Sequence, residues 1–505
     1  MFDSTARSRR AAPDDEAAAR GMPGHGAVTS PDGLLSLLAS WLPEQRWFPG
    51  RGARLSDLSV VSDISLQAGD PALRHLIVQT TLRTGPARFQ VLVGCRRDLP
   101  PGLAGALIGY QDGAACYDAL YDPELADVLL RGITQQRLVE NVRFVRDPGT
   151  PALTGYEPGS AAAAPGGRVL GAEQSNTSIV FGGQAILKVL RRLFPGANPD
   201  LEVADALARL GSARVAAPYG WMETDLDGEP VLLGVLSQFL AGASDGWTLA
   251  LAAVDRLYAR HGAYGREYLT ARVRADQDGN AHSGASAPAG LPFTDDARLL
   301  GQATAELHGD MAQAFGRRDM TRAELAALAA DMHAKLSDAV AIVPDLRVYE
   351  GRIRTAYDLL GRLDEPVRVQ RIHGDYHLGQ VLRARQGWVA LDFEGEPAVP
   401  LEVRRAPAPA LRDVAGMLRS FDYAARHQLV GQPAAEPMAA IAGDWVRQCQ
   451  AAFCAGYAAG GGTDPDSQST LLHALTLEKA VYEVIYEYRH RPSWLSIPLG
   501  YVAAA

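Results

Sequence analysis

Leu34, Leu35, Leu37, Leu38 and Trp41 recur at helical spacing, and the Leu42-Pro43 step closes that helix because a residue before proline is pushed out of the helical region. Short apolar runs follow around Leu58 to Leu66, His75 to Leu82 and Phe89 to Val93, punctuated by Gly, Pro and Asp, and they predict antiparallel strands. Between about residues 148 and 167 the chain turns rich in Pro, Gly and Ala, as a loop or hinge between subdomains does. Beyond it Val169-Leu170, Ser178 to Phe181 and Ala185 to Leu190 predict three consecutive strands, and Pro199 to Leu210 predicts a helix. From Leu299 onward apolar positions recur at three and four, so most of the remaining chain reads as helix. The exception is central: Val369 to Ile372, Val381 to Arg383 and Val389 to Leu391 are strand-like runs that bracket the most polar motifs in the sequence. Residues 1–29 mix Ala, Gly, Pro and charge without a period and are expected to form a flexible tail, and the loop from about Asp276 to Pro292 is expected to be mobile.

With 505 residues the chain exceeds what one core holds, so two or three packed subdomains are expected. A hydrophobic share of 47% against 21% charged is enough to bury several cores. The net charge of −9 argues against nucleic acid as the main partner, since a backbone-binding surface needs clustered Lys and Arg. Cys95, Cys116, Cys449 and Cys454 lack the paired spacing of a structural zinc site and read as reduced thiols. Neither a secretion signal nor an apolar run of the roughly 18 to 20 residues that span a bilayer is found, which points to a cytoplasmic protein without a membrane partner.

The strongest chemical signal is His373-Gly374-Asp375-Tyr376-His377-Leu378-Gly379-Gln380, with Asp392 just after the next strand. Phosphoryl transfer requires a carboxylate to orient the acceptor hydroxyl and oxygen ligands to hold Mg²⁺ on the nucleotide phosphates. Asp375 suits the base, while Gln380 through its amide oxygen and Asp392 suit the metal, although the kinase pattern usually has Asn at the place of Gln380. His373 and His377, on the same loop, are assigned to the acceptor side. His308-Gly309-Asp310 repeats the first three letters but sits in a helical pattern with Phe315 at the ligand position, so it reads as structural.

Upstream, Lys188 at the end of an apolar run and Glu202 in the next helix follow the order of a phosphate-binding lysine and the helix carboxylate that fixes it. The turn Gln174 to Ser178 offers Ser175, Asn176 and Thr177 to phosphate oxygens. Gln238-Phe239-Leu240 stands where backbone groups would meet adenine. In the last long helix Lys479, Tyr482, Glu483 and Tyr486 recur at three and four and share a polar-aromatic face, with Trp494 following. Such a face suits a sugar, because aromatic rings cover the apolar faces of a pyranose while charged groups bond its hydroxyls.

The run from Arg371 to Arg383 and on through Leu391-Asp-Phe-Glu-Gly-Glu-Pro397 resembles the bacterial maltokinases, as do Arg412 to Tyr423, Glu478 to Glu487, Arg491 to Trp494 and Gln45 to Gly50. The resemblance spans the chain from about residue 30. It implies an α+β, bilobal protein-kinase-like fold shared with aminoglycoside phosphotransferases. An N-terminal cap would cover residues 30–110, an intermediate subdomain completing the nucleotide lobe 111–240, and a helical C-lobe 241–505. The implied reaction is transfer of the ATP γ-phosphoryl, with Mg²⁺, to the anomeric hydroxyl of maltose, giving maltose 1-phosphate for α-glucan and glycogen assembly. The resemblance leaves a monomer or a homodimer open and allows a transient association with trehalose synthase or a glucan-synthesising enzyme. Within the same fold the chief alternative is a glucosamine kinase, whose motif after the metal Asp tends to read Asp-Gly-Asn-Pro where this chain has Glu394-Gly395-Glu396-Pro397. A sugar-sensing pseudokinase without catalysis is the alternative of another class.

Overall fold

The computed structural model describes residues 31–49, 52, 55, 57–82, 85–150, 166–171, 175–260, 293–395, 399–432 and 435–505. The expected tail, most of the hinge and the expected mobile loop at 276–292 lie outside these residues. The helix Pro31–Trp41 lies on an antiparallel sheet ordered Ser59–Gln67, Ala72–Leu82, Gly85–Arg96, Ala114–Asp118, Leu107–Gln111. Strand periodicity sorts the side chains onto two faces. Leu76, Val78, Phe89, Val91 and Val93 pack with Leu34, Leu38 and Phe48, while Leu73, Ile77 and Leu92 join the core of the helix Pro123–Thr134. Burial on both faces is why these strands read as apolar runs and not as alternation. The hairpin of Leu107–Gln111 and Ala114–Asp118 completes this sheet, past the 30–110 range expected for the cap.

A second antiparallel sheet of seven strands is ordered Leu138–Val139, Val142–Arg146, Pro218–Leu226, Glu229–Gln238, Ala185–Leu190, Asn176–Phe181, Arg168–Val169. The two sheets are stitched together where Arg192–Leu193, just past Ala185–Leu190, pairs with Gly85–Arg96. At that seam the Gln90 amide nitrogen donates to the carbonyls of Leu190 and Leu233, leaving its oxygen to accept from His75 Nε2 at 3.0 Å. Nδ1 of His75 is buried without a partner, and burial pushes the imidazole down to about 4 against the favourable Gln90 bond. An unfolded histidine titrates near 6.5, so between these values the unfolded chain binds the extra proton and stability falls as the pH is lowered. This contribution is fully present above about 6.5 and amounts to on the order of 1 to 3 kcal/mol. We expect the urea midpoint to drop between pH 7.5 and 5, and His75→Gln to flatten that slope; an unchanged slope in the variant would assign the pH response to other groups.

The helix Pro199–Arg209 begins on Asn198, whose side chain accepts from the N–H groups of Asp200 at 2.9 Å and Leu201 at 3.3 Å, with Pro199 at the first helical position. The helices Gly246–Arg260, Phe293–Phe315, Arg322–Ile342, Glu350–Gly361, Leu411–Arg426, Ala435–Ala459 and Ser469–His490 share one further core. Phe293–Phe315 and Ala435–Ala459 approach so closely that a Cβ on Gly456 would lie 1.9 Å from Arg298 O, so only glycine fits there. Two small sheets interrupt the helices: Ser244–Asp245, Val381–Ala384 and Gly387–Ala390 form one, and Arg317–Asp319, Arg368–Gln370 and Ala408–Pro409 the other. The expected strand from Val369 to Ile372 is thus shorter, since Arg371 and Ile372 leave the ladder to enter the polar loop. No helix among the described residues is long and apolar enough to cross a membrane.

Candidate active site

The polar loop leaves the strand Arg368–Gln370, turns at Gly374, where φ is +84° and a side chain would be strained, and re-enters a strand at Val381. Its backbone hangs on one buried carboxylate. Asp413, at the start of the helix Leu411–Arg426, accepts from the N–H of His373 at 2.8 Å and of Gly374 at 2.9 Å, and from His308 Nε2 at 3.0 Å. Burial raises the cost of that charge, but His308 and the Gly374 N–H outweigh it and hold the carboxyl below its usual range. His308 in turn meets the Tyr457 hydroxyl at 2.9 Å through Nδ1. The decoy triplet His308 to Asp310 is therefore helical, as expected, and its histidine braces the true loop from behind.

His373 does not face an acceptor. Its Nε2 donates to Leu391 O at 2.8 Å, its Nδ1 accepts from the Asp375 N–H at 3.3 Å, and the ring is buried between Tyr376 and Phe393. It holds the loop shape instead of a sugar. His377 is partly exposed, accepts from the Gly379 N–H through Nδ1 at 3.0 Å and places Nε2 3.8 Å from Asp375. Burial holds its pKa below the ordinary histidine value, with the Asp375 charge pulling the other way.

Asp375 is three-quarters covered, and Lys479 reaches its Oδ1 at 3.5 Å from the helix Ser469–His490. Lys479 also lies over the Tyr482 ring at 4.9 Å, and Tyr482 stacks towards the exposed Tyr486 with centroids 6.3 Å apart. Three of the four residues expected on this face are thus brought together. Glu483 is not: it lies about 100° round the helix from Tyr482, is buried, and accepts from Arg419 Nε at 2.8 Å. Trp494 packs against Tyr423 and His427.

On the nucleotide side Lys188, in the strand Ala185–Leu190, meets Asp392 at 2.8 Å, Glu394 at 2.9 Å and Asp200 at 3.1 Å. Burial opposes its charge, but the three carboxylates outweigh it and hold its pKa well above the ordinary lysine value. Lys188 in return keeps Asp392 below its usual range against the effect of burial, while burial pushes Glu394 up. The expected Lys188–Glu202 pair is not formed. Two residues along a helix turn about 200°, so Asp200 points at Lys188 while Glu202 points away, to Arg405 at 2.7 Å and Arg371 at 3.1 Å. The other oxygen of Asp200 accepts from the Phe393 N–H at 2.9 Å.

Asp392 has φ of +64°, unusual for a residue with a side chain and a sign of a turn fixed by its surroundings. Gln380 meets it at 3.2 Å through the amide nitrogen, and turning the amide end for end would present the oxygen. Asp200, Asp392 and Glu394 each offer a carboxylate oxygen, all within 4.8 Å of one another. These hard donors fit Mg²⁺, which when bound to a nucleotide neutralises charge on its phosphates.

The other expected nucleotide contacts are partly taken by the protein. Asn176 and Thr177 belong to the strand Asn176–Phe181 and not to the turn; Thr177 is buried and accepts from Arg191 Nε at 2.9 Å, and the Asn176 side chain accepts from the Arg191 N–H at 3.4 Å. Ser175 stays exposed ahead of the strand, and Gln174 lies outside the described residues. Gln238 and Phe239 donate their N–H groups to Ala217 O at 2.9 Å and Gln184 O at 2.8 Å, so those two are not offered to a base. Leu240 follows as the chain passes towards the helical lobe.

Residues 41–122 match the family described as the maltokinase N-terminal cap domain. A glucosamine kinase of Streptacidiphilus jiangxiensis is 32% identical over 384 residues, 74% of this chain and 79% of its own. One of Mycolicibacterium smegmatis is 31% identical over 350 residues, covering 66% and 78%. Among solved structures, a glucosamine kinase in its crystal form B superposes with a TM-score of 0.62 at 26% identity, covering 93% of this chain and 98% of that one. The fold also matches, with a TM-score of 0.60 at 24% identity, a glucosamine kinase in complex with glucosamine, ADP and inorganic phosphate. With its bilobal architecture, its cap and a polar loop whose Asp375 meets Lys479 while Asp392 beyond it meets Lys188, the chain belongs to the maltokinase-like family of sugar kinases, which includes these glucosamine kinases.

Proposed function

We propose that the chain transfers the γ-phosphoryl group of ATP to the anomeric hydroxyl of maltose, releasing ADP and maltose 1-phosphate. The observation that carries this reading is the 3.5 Å approach of Lys479 to Asp375, which sets the aromatic helix face directly beside the base. Asp375 takes the proton from the sugar hydroxyl as its oxygen bonds to phosphorus, and the bond to the ADP oxygen breaks with its electron pair leaving on ADP. Lys479 orients the carboxylate and stands within reach of sugar hydroxyls, while Tyr482 and Tyr486 cover the sugar's apolar face. Lys188 supplies positive charge to the phosphates, and Asp392 with Gln380, joined by Glu394 and Asp200, would hold Mg²⁺ on the nucleotide. The product, a sugar activated at its anomeric carbon, suits an enzyme that builds α-glucan, and the need for ATP fits a cytoplasmic reaction.

Maltose is favoured by the match to the maltokinase cap and by the run Glu394-Gly395-Glu396-Pro397. Glucosamine is the second reading, favoured by the names of the two relatives. Steady-state ADP release with maltose and with glucosamine separates them. We expect kcat/KM for maltose to exceed that for glucosamine by about tenfold or more, the discrimination that a few sugar contacts supply; the opposite order would make the amino sugar the substrate.

A further inference from the structure

We infer that Glu202 and the short helix Leu401–Arg405 form a latch between the two lobes, and that Glu202 is a positioning residue for the nucleotide half of the site. The latch begins from the carboxylate that the lysine leaves free. Glu202, in the first turn of Pro199–Arg209, accepts from two nitrogens of Arg405, Nη2 at 2.7 Å and Nε at 3.2 Å, and from Arg371 at 3.1 Å. Arg371 is buried, stands four residues before Asp375, and also donates to Arg405 O at 2.9 Å. One carboxylate therefore ties an N-lobe helix to both the entrance of the catalytic loop and the segment beyond the metal-type carboxylates.

A second contact closes the same seam. Arg404, next to Arg405, donates to Glu394 O at 2.8 Å and lies over the Phe194 ring of the N-lobe at 5.5 Å. Leu401 from the same turn comes within 3.7 Å of where a Cβ on Gly196 would stand. The helix that Glu202 fixes also carries Asp200, which holds Lys188 and the Phe393 N–H at once. Parting the lobes along Glu202 would draw Asp200 away from the Phe393 N–H, and Lys188 with it away from Asp392 and Glu394. A bidentate arginine–carboxylate pair has the directionality to act as such a latch, where a lone surface pair would not.

The test uses the full chain and titrates ADP with Mg²⁺ by calorimetry, so it needs no sugar. The latch rests on the kinase reading only for its kinetic arm, where kcat should fall while KM for the sugar stays within twofold. Three variants are compared: Glu202→Gln, Arg405→Gln at a partly exposed site, and the double variant. The expected result is a dissociation constant for ADP raised threefold or more by each single change and no further by the double one, since both remove the same bond. A rise below threefold in either single variant, or full additivity in the double, overturns the latch. If Glu202→Gln does not fold, Arg405→Gln alone decides by the same threshold. Absence of phosphoryl transfer by the wild type with every sugar would sink the kinase reading, and the ADP constants would still decide the latch.

Discussion

Asp375→Asn is expected to lower kcat by about 10³-fold, the scale of a lost general base, with the melting temperature and the affinity for ADP nearly unchanged. The amide keeps the size and shape of the carboxylate but cannot accept the hydroxyl proton. The loop should not collapse, because its backbone hangs on Asp413 and His308 and not on Asp375. The site of substitution is also partly open, and the contact that is lost, with Lys479 at 3.5 Å, is long for an ion pair. Circular dichroism with ADP release measures both sides of this claim. A folded variant that kept a tenth or more of the wild-type kcat would remove Asp375 from the chemistry.

Lys188→Met should reduce kcat/KM for ATP by about 10²- to 10³-fold, as removal of one charge-stabilising group at a reacting phosphate does. It should also destabilise the protein, because Asp200, Asp392 and Glu394 would be left facing one another without a cation. Breaking a fully buried pair costs about 3 to 5 kcal/mol, and the partial exposure of Asp392 reduces that to roughly 1 to 3 kcal/mol here. The three carboxylates then become a freer seat for a divalent cation, so added Mg²⁺ should raise the melting temperature of the variant more than that of the wild type. Equal responses in the two proteins would show that these carboxylates do not hold the metal.

The difference between Asp200 and Glu202 shows where reading the sequence stops. Both acids stand in the first helical turn, two residues apart, and composition cannot tell which one the helix rotates towards Lys188; the packing of the helix start against Phe393 decides it. Glu483 fails for the same reason. Its spacing places it near Lys479, but only the tertiary contact with Arg419 reveals that this side of the helix turns inward. His373 and Thr177 looked available because burial by a neighbouring segment leaves no trace in local periodicity. Asp413 lies inside the run Arg412 to Tyr423, and its one local signal is an acidic residue opening a helix with Val414, Met417, Leu418 and Phe421 behind it.

What could be read ahead of the fold was local. The strands Ala72–Leu82 and Ala185–Leu190 announce themselves because buried strands need unbroken apolar runs, and the polar loop from Arg371 to Gln380 because its residues interrupt such runs. The helix Gly246–Arg260 carries apolar positions at helical spacing, a signal that the sequence analysis leaves unread. That Lys479 and Asp375, 104 residues apart, lie 3.5 Å from each other was not legible, because no local spacing records a contact between a loop and a distant helix.

Maltose 1-phosphate formation is tested most directly by the phosphorus NMR spectrum of the product formed from maltose, ATP and Mg²⁺ by the wild-type chain. The expected spectrum carries a sugar phosphate signal coupled to the anomeric proton, formed in step with ADP and absent with Asp375→Asn. Release of inorganic phosphate alone, or a phosphate coupled to any other sugar position, would contradict it.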